Sequence, residues 1–103
     1  MCGIAGFYGE KLPSLASIKK SGELIKHRGP DAKGHIILKK DRLALVHRRL
    51  SIIDLDKRAN QPMQFQDSIL IFNGEIYNYI EIRKILKSLG HRFKTNSDTE
   101  VLI

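Results

Sequence analysis

Cys2 is the only cysteine of the chain, and a single residue, Met1, stands before it. Removal of Met1 would leave a thiol and a free α-amino group on one residue. Free thiols titrate near roughly 8.5 and α-amino groups near roughly 7.7–8.0, so around neutral pH the amine can act as base to its own thiol. The plainer alternative is an incidental small residue before an ordinary strand. Further along, Asn73-Gly74-Glu75 joins an apolar run to a helical pattern. The Asn-Gly pair therefore reads as a bend offering an amide side chain and backbone N–H groups, donors that suit an oxyanion. Arg48-Arg49 supplies guanidinium groups. One of them, buried and facing a cleft, would suit a carboxylate, while surface decoration is the alternative. Asp98 stands at a helix start, where an acid is ordinarily favoured and where it could equally face a bound cation. His27-Arg28-Gly29-Pro30-Asp31 is either a surface turn or a functional loop held on a stiff backbone.

These groups need elements to hold them. Gly3-Ile4-Ala5-Gly6-Phe7-Tyr8 is predicted to be a buried strand that ties down the terminus. Ser14 caps a helix whose face carries Leu15, Ile18, Gly22 and Ile25 and which ends near Lys26. Residues 34–38 and 43–46 read as strands joined by the polar hairpin Lys39-Lys40-Asp41-Arg42. His47 to Asp54 reads as a strand end running into an irregular segment, and Gln61-Pro62-Met63 turns the chain back to the core. Ser68 to Phe72 is a strand. Asn78 with Glu81 opens a helix whose apolar face is Tyr79, Ile82, Ile85, Leu86 and Leu89, and Gly90 ends it. His91 to Thr95 is a short strand. Ser97-Asp98-Thr99-Glu100 is a capping box that puts Asp98 at the first helical position.

Hydrophobic residues make up 42% of the 103-residue chain, which is enough for one modest core. No apolar run reaches the ~20 residues of a membrane span, and no secretory leader is evident. One cysteine excludes an intrachain disulfide and suits a reducing compartment, the cytoplasm. The net charge of +7 is uneven, with eleven basic and four acidic residues among 1–50 and seven of each after. The basic residues come in pairs without interleaved aromatics, which favours a solvated face over a nucleic-acid surface. The four histidines are scattered, and no metal-ligand spacing occurs. The chain stops on Glu100-Val101-Leu102-Ile103, a helix start without a stop signal, and is expected to be a fragment of something longer.

Met1-Cys2-Gly3-Ile4, His27-Arg28-Gly29-Pro30-Asp31, Arg49-Leu50-Ser51-Ile52-Ile53-Asp54, Asn73-Gly74-Glu75-Ile76-Tyr77-Asn78 and Ser97-Asp98-Thr99-Glu100 occur in that order. Together they resemble the glutaminase domain of class II glutamine amidotransferases, within the N-terminal-nucleophile hydrolases, and most closely the branch of the glutamine-hydrolysing asparagine synthetases. The resemblance covers nearly all of residues 1–103. It implies an α/β fold of the α+β type, with antiparallel sheets and packed helices, incomplete here because the family's domain is longer. The chain is thus expected to be the N-terminal portion of that domain, with the synthetase domain absent.

The resemblance also implies roles. Cys2 would be the nucleophile and its α-amino group the base, with Asn73 and Gly74 forming the oxyanion hole. Arg49 would take the α-carboxylate of glutamine, Glu75 and Asp98 its α-ammonium, and the backbone of Leu50, Ser51, Ile52 and Ile53 would line the pocket. No cofactor is expected in this fragment; ATP and Mg2+ are expected for the absent synthetase domain, which would amidate aspartate. Partners implied are glutamine and, for the parent, aspartate, with no nucleic acid and no membrane; a homodimeric parent is compatible with the resemblance. The alternatives are an amidotransferase acting on a sugar or other carboxylate in polysaccharide biosynthesis, a non-catalytic remnant, and, more distantly, a small basic nucleic-acid-binding domain.

Overall fold

The computed structural model describes residues 1–103. In chain order it contains β1 (Gly3–Tyr8), α1 (Leu15–Leu24), β2 (Ala32–Leu38), β3 (Leu43–Arg49), β4 (Met63–Phe65), β5 (Ser68–Leu70), α2 (Tyr79–Ser88) and α3 (Thr99–Leu102). The strands form an antiparallel three-stranded sheet in the order β1-β3-β2 and a separate β4-β5 hairpin. This is the expected mixture of antiparallel sheets and packed helices. No helix is long and apolar enough to cross a membrane.

The central strand decides the layout. Because β3 is paired on both edges, its residues are buried even where the sequence turns polar: His47, Arg48 and Arg49 are 0%, 4% and 5% exposed. Side chains alternate across a strand, so the three separate onto two faces. Ala44 and Val46 face α1 and pack with Ile18 as the core, flanked by Ala5, Phe7, Leu12 and Ile37. Arg48 shares that face, donating from Nε to Gly22 O at 2.8 Å and pairing with Glu23 at 2.7 Å. Gly22 lets the helix approach, since a Cβ there would sit 3.1 Å from Val46 Cγ1. His47 and Arg49 point the other way, towards the residues that follow β5.

Ser14 caps α1 as expected, accepting the Ser17 N–H at 3.2 Å. The 27–31 segment is more than a surface turn. A Cβ on Gly29 would overlap the Arg48 carbonyl, so only glycine lets this backbone lie against β3. From there Asp31 Oδ2 accepts the Ser51 N–H at 2.7 Å, and Arg28 Nε donates to Cys2 O at 3.4 Å.

Several expectations are corrected. β1 is an edge strand buried on one face only, with Ile4 and Tyr8 exposed on the other. The strand expected over Ser68–Phe72 ends at Leu70, and its partner β4 starts at Met63, a residue expected in the turn. His91–Thr95 forms no strand, because the Lys94 and Thr95 N–H groups donate to the Glu100 carboxylate at 2.7 Å each. That use of Glu100 also undoes the capping box. Ser97 Oγ does accept the Thr99 N–H at 3.0 Å, but Glu100 reaches past Ser97, and Asp98 occupies the N-cap rather than the first helical position. Asn78 makes no capping bond, although Gly90, at φ +96°, ends α2 as expected. Of the apolar face expected for α2, Ile85 and the C-cap residue Leu89 are exposed, and the buried residue of the helix is Arg83.

Candidate active site

The thiol lies where β1 begins beside the end of β3. Gly3 pairs with Arg48, which brings Cys2 alongside Arg49 and Leu50. Cys2 Sγ accepts the Leu50 N–H at 3.4 Å and lies 3.8 Å from Leu50 O. Met1 is exposed at the rim. Its peptide bond occupies the nitrogen that would serve as a base.

Cys2 opens onto a small cleft of about 50 Å³. One wall is Arg49, Leu50, Ile52 and Ile53; the facing wall is Asn73, Gly74 and Glu75, with Asp98 beside it. Nine of the ten residues expected at the site therefore meet in one place. Ser51 does not line the cleft, and its N–H is held by Asp31.

The Asn73-Gly74 bend leaves polar groups without partners in the fold. The Gly74 N–H takes no backbone acceptor, and Asn73 Oδ1 is buried without a donor, so the amide is not spent on the fold. Asn O and N are near-equivalent in shape, and which one faces the cleft is set by the hydrogen-bond network a ligand completes. A Cβ on Gly74 would lie 2.7 Å from the Phe72 ring, so the bend packs tightly on Phe72. Asp98, only 6% exposed, accepts the Ile76 N–H through Oδ2 at 3.0 Å, which ties the two sides of the cleft. Glu75 stands exposed at the rim.

Arg49 is more committed than the sequence indicates. Nη1 donates to Asp56 O at 3.1 Å and Asn60 Oδ1 at 2.9 Å; Nη2 donates to Ile53 O at 3.1 Å and to Asp54 O. Both terminal nitrogens are thus saturated by the 53–60 loop. An end-on bidentate carboxylate contact requires two of these acceptors to yield, and a side-on contact through Nε requires one.

Sequence reasoning missed four lining residues: Gln61, Phe72, Ser97 and Thr99. Ser97 and Thr99 carried only capping signals, and Gln61 none. It also missed Arg83, whose Nη1 and Nη2 hold Thr95 O at 2.6 Å and Ser97 O at 2.7 Å while its guanidinium lies 4.8 Å from the Phe93 ring centroid. Arg83 thereby fixes the segment that leads into Asp98. No group of three or more His, Cys, Asp or Glu is placed to hold a metal ion.

His47 lies under the site with its Nε2 3.2 Å from Phe72 O, so Nε2 carries the proton and Nδ1, buried without a donor, is the bare nitrogen. Burial lowers its pKa from the ordinary 6.5; the bond to Phe72 O opposes this, and the nearby Arg49 charge adds to it. The native state then binds fewer protons than the unfolded chain. The stability contributed by neutral His47 is complete above about 6.5 and is lost as pH falls from there through the lower native value. Melting temperature is expected to decline below pH about 6.5, and His47→Gln to flatten that slope. A parallel decline in the variant would assign the effect elsewhere. The acids with lowered pKa, Glu100 and Asp56, act in a more acidic range.

The fold and the cleft define a class, and the chain belongs to it: residues 1–103 match the family of glutamine amidotransferase domains throughout. Among known proteins it is similar to asparagine synthetase [glutamine-hydrolyzing] 1 of Bacillus subtilis, at 43% identity over all of this chain and 17% of that protein. It is 39% identical to asparagine synthetase B [glutamine-hydrolyzing] of Escherichia coli, covering all of this chain and 19% of that protein. It is also 34% identical to the amidase chry2 of Gibberella zeae, over all of this chain and 17% of that protein. The chain spans less than a fifth of the length of each.

Proposed function

We propose that this chain is the N-terminal portion of a glutaminase domain and that Cys2 hydrolyses glutamine to glutamate and ammonia. The observation that carries the proposal is the convergence of Cys2, the Asn73-Gly74 donors and the Glu75 and Asp98 carboxylates on one cleft. With Met1 removed, the Cys2 α-amino group takes the thiol proton, and sulfur attacks the side-chain amide carbonyl of glutamine. Asn73 Nδ2 and the Gly74 N–H receive the developing oxyanion. The tetrahedral intermediate collapses, the C–N bond breaks, and the departing nitrogen takes the proton back from the amine, leaving a thioester. Water then attacks with the same amine as base, and the C–S bond breaks to release glutamate. Asp98 Oδ1, the oxygen not committed to Ile76, and Glu75 offer negative charge for the α-ammonium, and Arg49 positive charge for the α-carboxylate.

In the parent, the ammonia would amidate aspartate, a reading supported by the names of the asparagine synthetase relatives, and ATP and Mg2+ would serve the synthetase domain that the sequence resemblance implies. Neither ATP nor Mg2+ is assigned to residues 1–103. A catalytic thiol on the chain's one cysteine fits a reducing cytoplasm. One relative is named an amidase and not an asparagine synthetase, which leaves room for a second reading in which the parent acts on a substrate other than aspartate.

The test is intact mass before and after exposure to a glutamine-mimicking electrophile. The expected result is loss of Met1 and one covalent adduct on Cys2, blocked by glutamine. Absence of labelling on both this chain and the full-length parent, each with Met1 lost, would overturn the glutaminase reading; labelling of the parent alone would assign the failure to truncation.

A further inference from the structure

Gln61 is a polar side chain that the chemistry above leaves without a role, yet it is only 6% exposed at the floor of the cleft. Its Oε1 accepts the Phe72 N–H at 2.5 Å, and its Nε2 donates to Thr99 Oγ1 at 3.1 Å. The orientation of the amide is fixed by chemistry, because a backbone N–H can only donate. Gln61 therefore spans the two sides of the cleft, the segment leading to Asn73 and the turn that carries Asp98.

Phe72 is where this matters. The β5 ladder has ended at Leu70, so no neighbouring strand fixes the backbone of Phe72. Two side chains take the place of a strand: Gln61 holds the N–H, and His47 Nε2 holds the carbonyl at 3.2 Å. The carbonyl belongs to the peptide plane that continues into Asn73. Setting both planes around Phe72 sets the direction in which the Asn73 side chain and the Gly74 N–H leave the chain. The approach of Gln61 is built into the sheet, since a Cβ on Gly34 of β2 would overlap the Gln61 carbonyl.

We propose that Gln61, backed by His47, is a positioning residue that aims the Asn73 and Gly74 donors; this rests on the reading of those two as the oxyanion hole. Each polar atom of Gln61 has a partner within the protein, so its link to the Asn73 and Gly74 donors runs through Phe72.

The test is steady-state hydrolysis of glutamine by the processed protein carrying Gln61→Met or Gln61→Glu, with Asn73→Ala alongside. Methionine keeps the volume and removes both hydrogen bonds. It is expected to lower kcat about 10-fold or more while KM stays within about threefold, the pattern of an interaction felt in the transition state. Glutamate still accepts the Phe72 N–H and can take a bond from the Thr99 hydroxyl, so it is expected to restore most of kcat. Unchanged kcat in Gln61→Met, or equal losses in the two variants, would overturn the proposal. An unimpaired Asn73→Ala would instead overturn the oxyanion reading on which it rests. Should Gln61→Met not fold, amide hydrogen exchange on the unsubstituted protein decides: Phe72 N–H is expected to exchange slowly and Gly74 N–H rapidly, and equally fast exchange at both would overturn the proposal.

Discussion

Cys2→Ser is expected to reduce glutamine hydrolysis on the order of 10⁴-fold or more, read as the initial rate of glutamate release from the processed protein. Removing the nucleophile of a concerted site leaves only the acceleration supplied by binding and the oxyanion donors. Serine preserves the size and position of the side chain. Its hydroxyl, however, is far less ionised than a thiol near neutral pH, and an α-amino base activates it poorly. Stability is expected to stay nearly the same, because the Cys2 side chain engages only the Leu50 backbone, at 3.4 and 3.8 Å. A rate within tenfold of the unsubstituted protein would remove Cys2 from the chemistry. The same loss is expected of chains that keep Met1, where the base is tied up in a peptide bond. Met1 is 65% exposed, so nothing in the fold shields it from a processing peptidase.

Asn73→Ala is expected to lower kcat by roughly 10²–10³, with little change in KM, because the charge it stabilises exists only after attack. The substitution should not unfold the chain. The Asn73 Oδ1 is buried without a donor, so alanine removes an unpaired polar atom and breaks no bond of the scaffold. A loss confined to KM would make Asn73 a ground-state contact, and the oxyanion would then need another donor.

The strands of the three-stranded sheet and α1 were legible because their signals are local, while most of the cleft was legible only through the motifs that carry the family resemblance. Ser14 announces a helix start, and Arg28-Gly29-Pro30 announces a stop. The parts that were missed depend on partners distant in the chain. β4 is three residues long, too short for a period to register. His91–Thr95 has the length of a strand, but its N–H groups are met by one carboxylate further on, so no strand is needed. Arg83 reads as a surface residue of an amphipathic helix and is instead buried among carbonyls. The two arginines of β3 were separable in principle. Alternation sends adjacent residues to opposite faces, and once Val46 is assigned to the core face, Arg48 joins it and Arg49 faces the cleft. Gln61 carried no signal, because a polar residue before proline in a loop reads as solvated, and only the fold shows it bridging Phe72 and Thr99.

The saturated guanidinium of Arg49 has a consequence for selectivity. Its loop acceptors are three neutral backbone carbonyls and one neutral amide oxygen, so the loop behaves as a resident competitor for the cationic fork. A ligand that brings another neutral carbonyl gains nothing by exchange. One that brings an ionised carboxylate does gain, because two opposite full charges attract where a neutral carbonyl offers only a dipole. The competition therefore discriminates by charge before any chemistry begins. On the proposed role of Arg49, a free amino acid, whose carboxylate could evict the loop, would be admitted, and a glutamine residue embedded in a peptide, whose carbonyl could not, would be rejected. The 53–60 segment would then loosen as the ligand seats, so that recognition unties a loop instead of ordering one.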